Sequence, residues 1–278
     1  MIQGVLEFLK FSGAGNDFIV GDNRDGAWSL QPPGELAQRI CRRGVSVGAD
    51  GLILIENSKR ARFKMAHYNP DGSESGLCGN GARCAARFAF MCVIAGREMT
   101  METGIGVLNA RVLPDARVRV ELPTMPRPVR RMTLALSGRE ITGYRIDTGV
   151  PHFVLFVRDI ERAPLAVLGP KVRMHPDLGP EGANVDFVES RPGGGIYRMR
   201  TYERGVEAET LACGTGAMAV ARVLGYLDAR LRTVSLMARS GRMLWVEMDG
   251  DGDDARFALT GDATVVYRGK LARESLEE

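Results

Sequence analysis

Two cysteines of this chain stand in nearly the same short sequence, 135 residues apart. Cys78-Gly79-Asn80-Gly81-Ala82 and Cys213-Gly214-Thr215-Gly216-Ala217 share four of five residues. Each cysteine precedes an apolar, alanine-rich segment that we predict to be helical. A sulfur at a helix N-terminus meets unpaired N–H groups and the positive end of the helix dipole, which favour the thiolate by roughly 0.3 to 2 kcal/mol. Both cysteines are therefore candidate bases.

A pair of such thiols is suited to racemisation. If the duplication places the two helix ends on either side of one carbon, one thiolate removes the α-proton and the opposite thiol returns a proton to the other face. The neighbouring glycines let a substrate carboxylate approach the helix N–H groups, which would stabilise the charge that develops. A positioned acid or base contributes about 10² to 10⁴-fold, so carboxylate binding must supply much of the remainder. We predict no cofactor.

The residues alone also allow simpler interpretations. Two structural cysteines copied by duplication would show the same spacing. A metal site is disfavoured, because the chain has only three histidines, His67, His152 and His175, and none lies at ligand spacing from the cysteines. The glycine-rich turns are not followed by the lysine and hydroxyl residue of a phosphate-binding loop.

The duplication extends beyond the cysteines. At an offset of 134 residues the pairs are Phe63 with Tyr197, Met65 with Met199, Tyr68 with Tyr202, and Gly48-Ala49-Asp50 with Gly182-Ala183-Asn184. Such a long period indicates two similar domains and excludes a solenoid. We predict an N-terminal domain of residues 1–125 and a C-terminal domain of residues 126–264, joined by a linker at Met125–Pro128. Residues 265–278 are expected to pack back on the first domain.

Composition narrows the class of partner. The formal net charge is +3, and 45% hydrophobic with 26% charged residues are ordinary globular values. Arginine is spread along the chain, which argues against a nucleic-acid or membrane partner. Met1–Lys10 lacks the pattern of a secretory signal, so we expect a cytoplasmic protein with its five cysteines reduced. Cys84 and Cys92 fall inside the helix predicted after Cys78, where we expect them to pack in the core.

Four motifs, in order, resemble diaminopimelate epimerases over nearly the whole chain: Ser12-Gly13-Ala14-Gly15-Asn16-Asp17-Phe18; Asn69-Pro70-Asp71-Gly72-Ser73 with Cys78-Gly79-Asn80-Gly81-Ala82-Arg83; Gly182-Ala183-Asn184-Val185; and Glu203-Arg204-Gly205 with Cys213-Gly214-Thr215-Gly216. The resemblance implies an α/β (α+β) fold of two pseudo-symmetric domains, each a barrel-like, mostly antiparallel sheet around a central helix. It also implies an enzyme, independent of pyridoxal phosphate, that interconverts LL- and meso-2,6-diaminopimelate for lysine and cell-wall synthesis.

The resemblance further implies roles for individual residues. Cys78 and Cys213 match the two catalytic bases, and His152 and Glu203 match residues that assist them. The remaining matches are to substrate contacts: Gly79, Asn80, Gly214 and Thr215 around the reacting carboxylate, and Asn16, Asn69, Asn184, Glu203 and Arg204 elsewhere. His152 stands where the first repeat has Asp17. The family does not fix the oligomeric state here, and a homodimer is the candidate.

Three departures from the family pattern bear on the substrate. Val150 replaces a frequent asparagine, Gly51 offers no side-chain contact, and the segment from Glu203 to Cys213 has one residue more than the shortest family pattern, which brings Glu207 or Glu209 into consideration. Two alternatives therefore accompany the epimerase interpretation. One is a cofactor-independent racemase of another amino acid, such as proline or histidine, and the other is a non-catalytic binding protein on the same fold.

Overall fold

The computed structural model describes residues 4–76, 78–122, 128–136, 138–189, 195–250 and 256–277. The chain divides into two compact units, Met1–Glu121 with Gly261–Glu278, and Leu122–Thr260. Residues 123–127, which include the predicted domain boundary and most of the predicted linker, lie outside the described residues. The domain limits drawn from the sequence therefore stay predictions.

The described residues of the first unit form eight paired strands and three helices. Its elements are β1 (Gly4–Gly13), β2 (Asn16–Asp22), α1 (Pro33–Ile40), β3 (Gly51–Glu56), β4 (Phe63–Tyr68), α2 (Gly79–Met91), β5 (Glu98–Thr103), β6 (Gly106–Val112), β7 (Val118–Leu122), β17 (Thr264–Ala272) and α5 (Glu274–Glu277). The strands pair in the order β17–β1–β2–β3–β4–β5–β6–β7. Pairing is parallel at β2–β3 and β4–β5 and antiparallel elsewhere in this series.

The second unit contains β8 (Arg130–Leu136), β9 (Arg139–Asp147), β10 (Pro151–Val157), α3 (Leu165–Arg173), β11 (Asn184–Glu189), β12 (Ile196–Glu203), β13 (Ala208–Thr210), α4 (Gly214–Leu227), β14 (Thr233–Met237), β15 (Met243–Asp249) and β16 (Arg256–Gly261). Its strands pair in the order β8–β9–β10–β11–β12–β14–β15, with β13 added on β12. Parallel pairs occur at β10–β11 and β12–β14.

The two units share one plan. Taken in pairing order, the seven strands from β17 through β1 to β6 in the first unit correspond to the seven strands from β8 to β15 in the second unit. The parallel pair β2–β3 corresponds to β10–β11, and the parallel pair β4–β5 corresponds to β12–β14. The predicted fold class, a duplicated α/β unit with a mostly antiparallel sheet around a central helix, is thereby confirmed. Among the described helices, none is long and apolar enough to cross a membrane.

A nearly buried helix lies at the centre of each unit. Helix α2 contacts β1, β2, β3, β4 and β6, and α4 contacts β9, β10, β11, β14 and β15. Small side chains allow this close approach, since Ala82, Ala85, Ala86 and Ala89 of α2 and Ala217, Ala219 and Ala221 of α4 are fully buried. Cys84 is buried as predicted, but Cys92 is exposed, because α2 ends at Met91 and Cys92 is its C-terminal cap.

Gly182, in the turn before β11, provides a test of the backbone that presents Asn184. Its φ is +64°, and a Cβ atom there would lie 2.0 Å from the carbonyl oxygen of Arg173. We expect Gly182→Ala to lower the free energy of unfolding by about 2 to 5 kcal/mol, from left-handed strain and overpacking together. Gly241 has a similar φ of +76° with open space around it, so Gly241→Ala should cost only about 1 to 2 kcal/mol. Urea unfolding measures both, and equal losses would contradict the steric argument.

The burial of His67, on β4, can be tested through the pH dependence of the protein's stability. Neither of its ring nitrogens has a hydrogen-bond partner among the described residues, and burial lowers the pKa of His67 to about 4. An unfolded chain binds a proton at this residue below about pH 6.5, while the folded chain does not until about pH 4. Stability should therefore fall by about 1.4 kcal/mol for each pH unit of acidification across that window. His67→Leu removes this contribution, so the variant should lose less stability than the parent on acidification. Parallel stability curves for the two proteins would contradict the prediction.

Candidate active site

Each unit carries one cysteine at the N-terminus of its central helix. Cys78 caps α2 with φ −127° and ψ 113°, and Cys213 caps α4 with φ −125° and ψ 113°. The Sγ of Cys78 accepts a hydrogen bond from the N–H of Gly81 at 3.4 Å, and the Sγ of Cys213 accepts one from Gly216 at 3.3 Å. The two cysteines thus occupy the same capping position in two separate units.

The capping position gives the sulfur two properties. Serine, threonine, aspartate or asparagine usually fills it, because their oxygens accept a first-turn N–H. A sulfur there accepts the same bond and lies at the positive end of the dipole, so its thiolate is stabilised. First-turn N–H groups lack partners within a helix, and they are suitable donors for a bound carboxylate. Each helix end can therefore hold a base and an anion side by side.

A chain of amide groups lies beside Cys78 in the first unit. The amide of Asn80 donates to Asn16 Oδ1 at 2.5 Å, and Asn16 donates in turn to Asp50 Oδ2 at 3.1 Å. Behind them, the buried guanidinium of Arg83 donates to Asn80 Oδ1 at 2.7 Å and to the carbonyl of Gly79 at 3.2 Å. The side chain of Asn80 is fixed from both sides by these bonds.

Asp17, which occupies the position of His152 in the first repeat, belongs to an ion-pair network. Its carboxylate contacts Lys10 Nζ at 2.9 Å and Arg43 at 2.5 Å. Burial opposes its ionisation, but the hydrogen bonds from Arg43 and Lys10 outweigh this and lower the pKa of Asp17. Asn69 lies in the turn after β4, where its amide donates to Ser73 Oγ at 3.0 Å.

In the second unit a chain of hydrogen bonds connects Cys213 to a buried aspartate. Cys213 Sγ and Thr215 Oγ1 are 3.3 Å apart, and Thr215 Oγ1 lies 3.1 Å from His152 Nε2. His152 Nδ1 is 2.7 Å from Asp186 Oδ2, and Asp186 Oδ1 accepts a hydrogen bond from Thr201 at 2.7 Å. His152 and Asp186 are completely buried. The chain spans β10, β11, β12 and the first turn of α4.

Asn184 connects the same histidine to the loop after β12. Its amide nitrogen lies 3.4 Å from His152 Nε2, and its carbonyl oxygen accepts the backbone N–H of Arg204 at 2.8 Å. Arg204 also donates to Glu181 Oε2 at 2.6 Å. Glu203, the last residue of β12, is half-buried. Asn184 therefore fixes the backbone that carries Glu203 and Arg204.

The two glutamates considered from the longer loop are bound in ion pairs. Glu207 contacts Arg173 at 3.0 Å, and Glu209 contacts Arg200 through both carboxylate oxygens at 2.6 Å. Glu209 lies on β13, a short strand that pairs with β12. Both carboxylates support the loop that ends at Cys213.

The cysteines differ in electrostatic surroundings. Burial raises the pKa of the Cys213 thiol well above its ordinary value, and the negative charges of Glu203 and Asp186 raise it further. Hydrogen bonds that Thr215 and Gly216 donate to the thiolate form act in the opposite direction. Burial also raises the pKa of Cys41, to about 12, and that of Cys84.

Most of the sequence-predicted residues fall into two groups, one in each unit. Gly79 and Asn80 follow Cys78 at the start of α2, and Asn16 is hydrogen-bonded to Asn80. Gly214 and Thr215 follow Cys213 at the start of α4, where Thr215 is connected through His152 to Asn184. Asn69 lies in the turn after β4, Glu203 is the last residue of β12, and Arg204 follows it directly. Within the described ranges, no group of three acidic, histidine or cysteine side chains is arranged to hold a metal ion.

Arg83, Asp186 and Thr201 were given no role in the predictions from sequence. A signal existed for the first two, because Arg83 lies in an alanine-rich buried helix and Asp186 interrupts the apolar run from Val185 to Val188. A charge in such a segment requires a partner when it is buried. The hydroxyl of Thr201 carried no comparable signal.

Comparison with known proteins places the chain among epimerases. The family model described as "Diaminopimelate epimerase" matches residues 8–125 and 144–266. A diaminopimelate epimerase of Aquifex aeolicus is 42% identical over 98% of this chain and all of the relative. One from Methanothrix thermoacetophila is 37% identical over 98% of both chains.

Solved structures with low sequence identity share the fold. A phenazine biosynthesis protein of the PhzF family from Bacillus anthracis has a TM-score of 0.73 at 14% identity, covering 96% of this chain and 98% of its own. A hydroxyproline epimerase from Agrobacterium vitis has a TM-score of 0.68 at 17% identity, covering 96% of this chain and 92% of its own. With the family match over both halves and the full-length relatives, the chain belongs to the diaminopimelate epimerase family.

Proposed function

We propose that this protein is an isomerase that inverts one α-carbon of LL-2,6-diaminopimelate to give the meso isomer, with Cys78 and Cys213 as its two bases. Family membership and full-length relatives named diaminopimelate epimerase support the reaction. The single observation that carries the residue assignment is the identical capping geometry of the two cysteines. The product would feed lysine and cell-wall precursor synthesis.

The proposed mechanism uses one thiolate and one thiol in each turnover. The thiolate removes the α-proton, and the thiol protonates the opposite face of the carbon. The second cysteine begins the turnover as the acid when the first begins as the base, and the reverse reaction exchanges their roles. Because Cys213 lies in buried, anionic surroundings that raise the pKa of its thiol, its sulfur depends on neighbouring groups to become a base.

Binding of the α-carboxylate would supply the remaining stabilisation. When the α-proton leaves, negative charge moves onto the carboxylate oxygens, and preorganised N–H groups at a helix end are suited to receive it. The first turns of α2 and α4 contain Gly79, Asn80, Gly214 and Thr215, whose backbone we assign to this contact. The same helix ends stabilise the thiolates, so base and anion site share one source of positive potential.

The distal half of the substrate is an amino acid, which requires charged and amide partners. We assign Asn16, Asn69, Asn184, Glu203 and Arg204 to substrate contacts, and a guanidinium is suited to bind a carboxylate through two N–H groups. His152 and Glu203 are assigned to assist the cysteines. A cytoplasmic location and a homodimer remain our expectations for this enzyme.

Replacement of either cysteine tests the two-base assignment. We expect Cys78→Ala and Cys213→Ala each to lower kcat by at least about 10²-fold, since a positioned acid or base contributes about 10² to 10⁴-fold. Cys92→Ala is the control, because its thiol is exposed at the other end of α2. Turnover is followed by chromatography of the isomers, with circular dichroism to verify folding. Near-normal epimerisation by either variant would disprove the assignment.

Solvent isotope incorporation separates two bases from one. In deuterium oxide, the first meso product should carry solvent deuterium at the inverted carbon while the remaining LL substrate carries none, because a separate thiol delivers the incoming proton. One base acting on both faces would return the original proton or label both isomers. Mass spectrometry of the separated isomers at low conversion distinguishes these results.

The substrate itself is tested with a panel. Val150, in place of a frequent family asparagine, is the observation that favours a racemase of another amino acid. We expect turnover of LL-diaminopimelate and none of single amino acids such as proline or histidine, which lack the distal carboxylate. Inversion of proline or histidine with no turnover of LL-diaminopimelate would replace the proposed substrate.

A further inference from the structure

Asp186 is a buried carboxylate whose position is not explained by the family motifs. It is the third residue of β11, between Val185 and Phe187, and it has no exposed surface. A carboxylate in such surroundings is costly unless hydrogen bonds compensate it. Its oxygen Oδ1 also lies directly below the first turn of α4, since a Cβ atom added at Gly216 would be 2.5 Å from it. Asp186 is thus placed against the helix end that carries Cys213.

Two donors satisfy Asp186, and one of them is the histidine. Thr201 donates its hydroxyl to Oδ1 at 2.7 Å. A carboxylate only accepts hydrogen bonds, so the 2.7 Å contact with His152 requires the proton on Nδ1. The lone pair of Nε2 is then directed at Thr215 Oγ1 and at the amide of Asn184. Asp186 therefore determines the tautomer of His152.

The tautomer sets the direction of the remaining bonds. With Nε2 as acceptor, the hydroxyl of Thr215 donates to it, and a lone pair of Thr215 Oγ1 is left to accept the S–H of Cys213 at 3.3 Å. In this series of hydrogen bonds, the thiol of Cys213 donates to Thr215, Thr215 donates to His152, and His152 donates to the carboxylate of Asp186. Such an arrangement is a path along which a proton can leave the thiol.

The internal duplication provides a comparison without this path. In the first unit Gly81 faces Ile53 and Met65, at 3.1 and 3.3 Å from an added Cβ atom. The position of His152 is held by Asp17, which is paired with Lys10 and Arg43. The proton path is therefore a property of Cys213 and is not inherited from the shared fold.

We propose that Asp186 is a positioning residue that fixes His152 as the proton acceptor for Cys213 through the hydroxyl of Thr215. In the step, the S–H bond of Cys213 breaks as its proton bonds to Thr215 Oγ1, and the Thr215 O–H bond breaks as that proton bonds to His152 Nε2. The electron pair stays on sulfur. The resulting imidazolium keeps its Nδ1–H bond to Asp186, whose charge stabilises it. The proposal rests on the proposed role of Cys213 as a base.

The charge of Asp186 alone has the opposite effect, which makes the proposal testable. A nearby anion disfavours a thiolate, so neutralising Asp186 would make Cys213 more reactive if only its field mattered. Under the proposal, Asp186→Asn disturbs the tautomer and removes the counter-charge of the imidazolium, so Cys213 becomes less reactive. The two accounts differ in sign.

The experiment measures iodoacetamide alkylation of Cys213 near neutral pH in the full-length protein without substrate. Peptide mass spectrometry gives its rate relative to the exposed Cys92 of the same sample. We expect Asp186→Asn to lower this ratio by about tenfold, equivalent to about one pKa unit. The matched control is Glu189→Gln on the same strand, whose carboxylate contacts Arg198 at 3.3 Å and should leave the ratio unchanged. An unchanged or higher ratio in Asp186→Asn would overturn the proposal.

Two further measurements keep the test independent of folding and of substrate. If Asp186→Asn does not fold, Asp186→Ile introduces the residue type that the first unit carries under its helix, and the same decrease is expected. Nitrogen NMR of the labelled parent protein reports the tautomer of His152 directly, and a proton on Nε2 would overturn the proposal without any variant. Asp186→Asn should also lower kcat on diaminopimelate with KM little changed. Slower alkylation in a protein that does not turn over diaminopimelate would refute the proposed function and leave the role of Asp186 standing.

Discussion

The bond from a helix N–H to a cysteine sulfur is the contact on which the site geometry depends. It occurs in both units, from Gly81 to Cys78 and from Gly216 to Cys213. A capping side chain must lie within reach of the first turn, so each sulfur is fixed relative to the axis of a helix that several strands enclose. Gly81 and Gly216 have little room for a side chain, because a Cβ atom at Gly81 would lie close to Ile53 and one at Gly216 would lie close to the carboxylate of Asp186. The position of the thiol is thus set by the core of each unit.

The helix ends at Cys78 and Cys213 have the same cap, but the buried charges near them have opposite signs. The buried guanidinium of Arg83 lies behind the helix end of Cys78, whereas the carboxylates of Asp186 and Glu203 lie near Cys213. A buried cation favours a thiolate and a buried anion favours a thiol. Met218 stands where Arg83 stands in the first repeat, so the difference comes from a few substitutions on one backbone plan. If the two sulfurs act as the proposed pair of bases, this asymmetry favours the thiolate at Cys78 and the thiol at Cys213.

Sequence patterns predicted the duplication, the family and the central helices, because glycine turns and alanine-rich helices leave local signals. They missed α3, in which Gly169 and Pro170 suggest a loop, although packing on β11 and β12 stabilises the helix. They also missed β8, whose exposed face mixes polar and apolar residues. Helix α5 forms at the charged end of the chain, and its Leu276 carbonyl accepts a hydrogen bond from Arg39. The hydrogen bonds that connect Thr215, His152, Asp186 and Thr201 join one helix and three strands, and no local pattern reports them. The roles of the site residues and the domain limits stay predictions.

Strand β17 completes the first sheet by pairing with β1, from Gly4 with Ala272 to Ser12 with Thr264. During synthesis on the ribosome, β1 emerges early and its partner only after the whole second unit has been made. Domains generally fold as units while the chain is produced. The second unit, which is continuous in sequence, can therefore fold first, while the edge of β1 that pairs with β17 is still unpaired and exposed. The half of the enzyme that is translated first would be the last to become complete, and Cys78 would acquire its final surroundings only then.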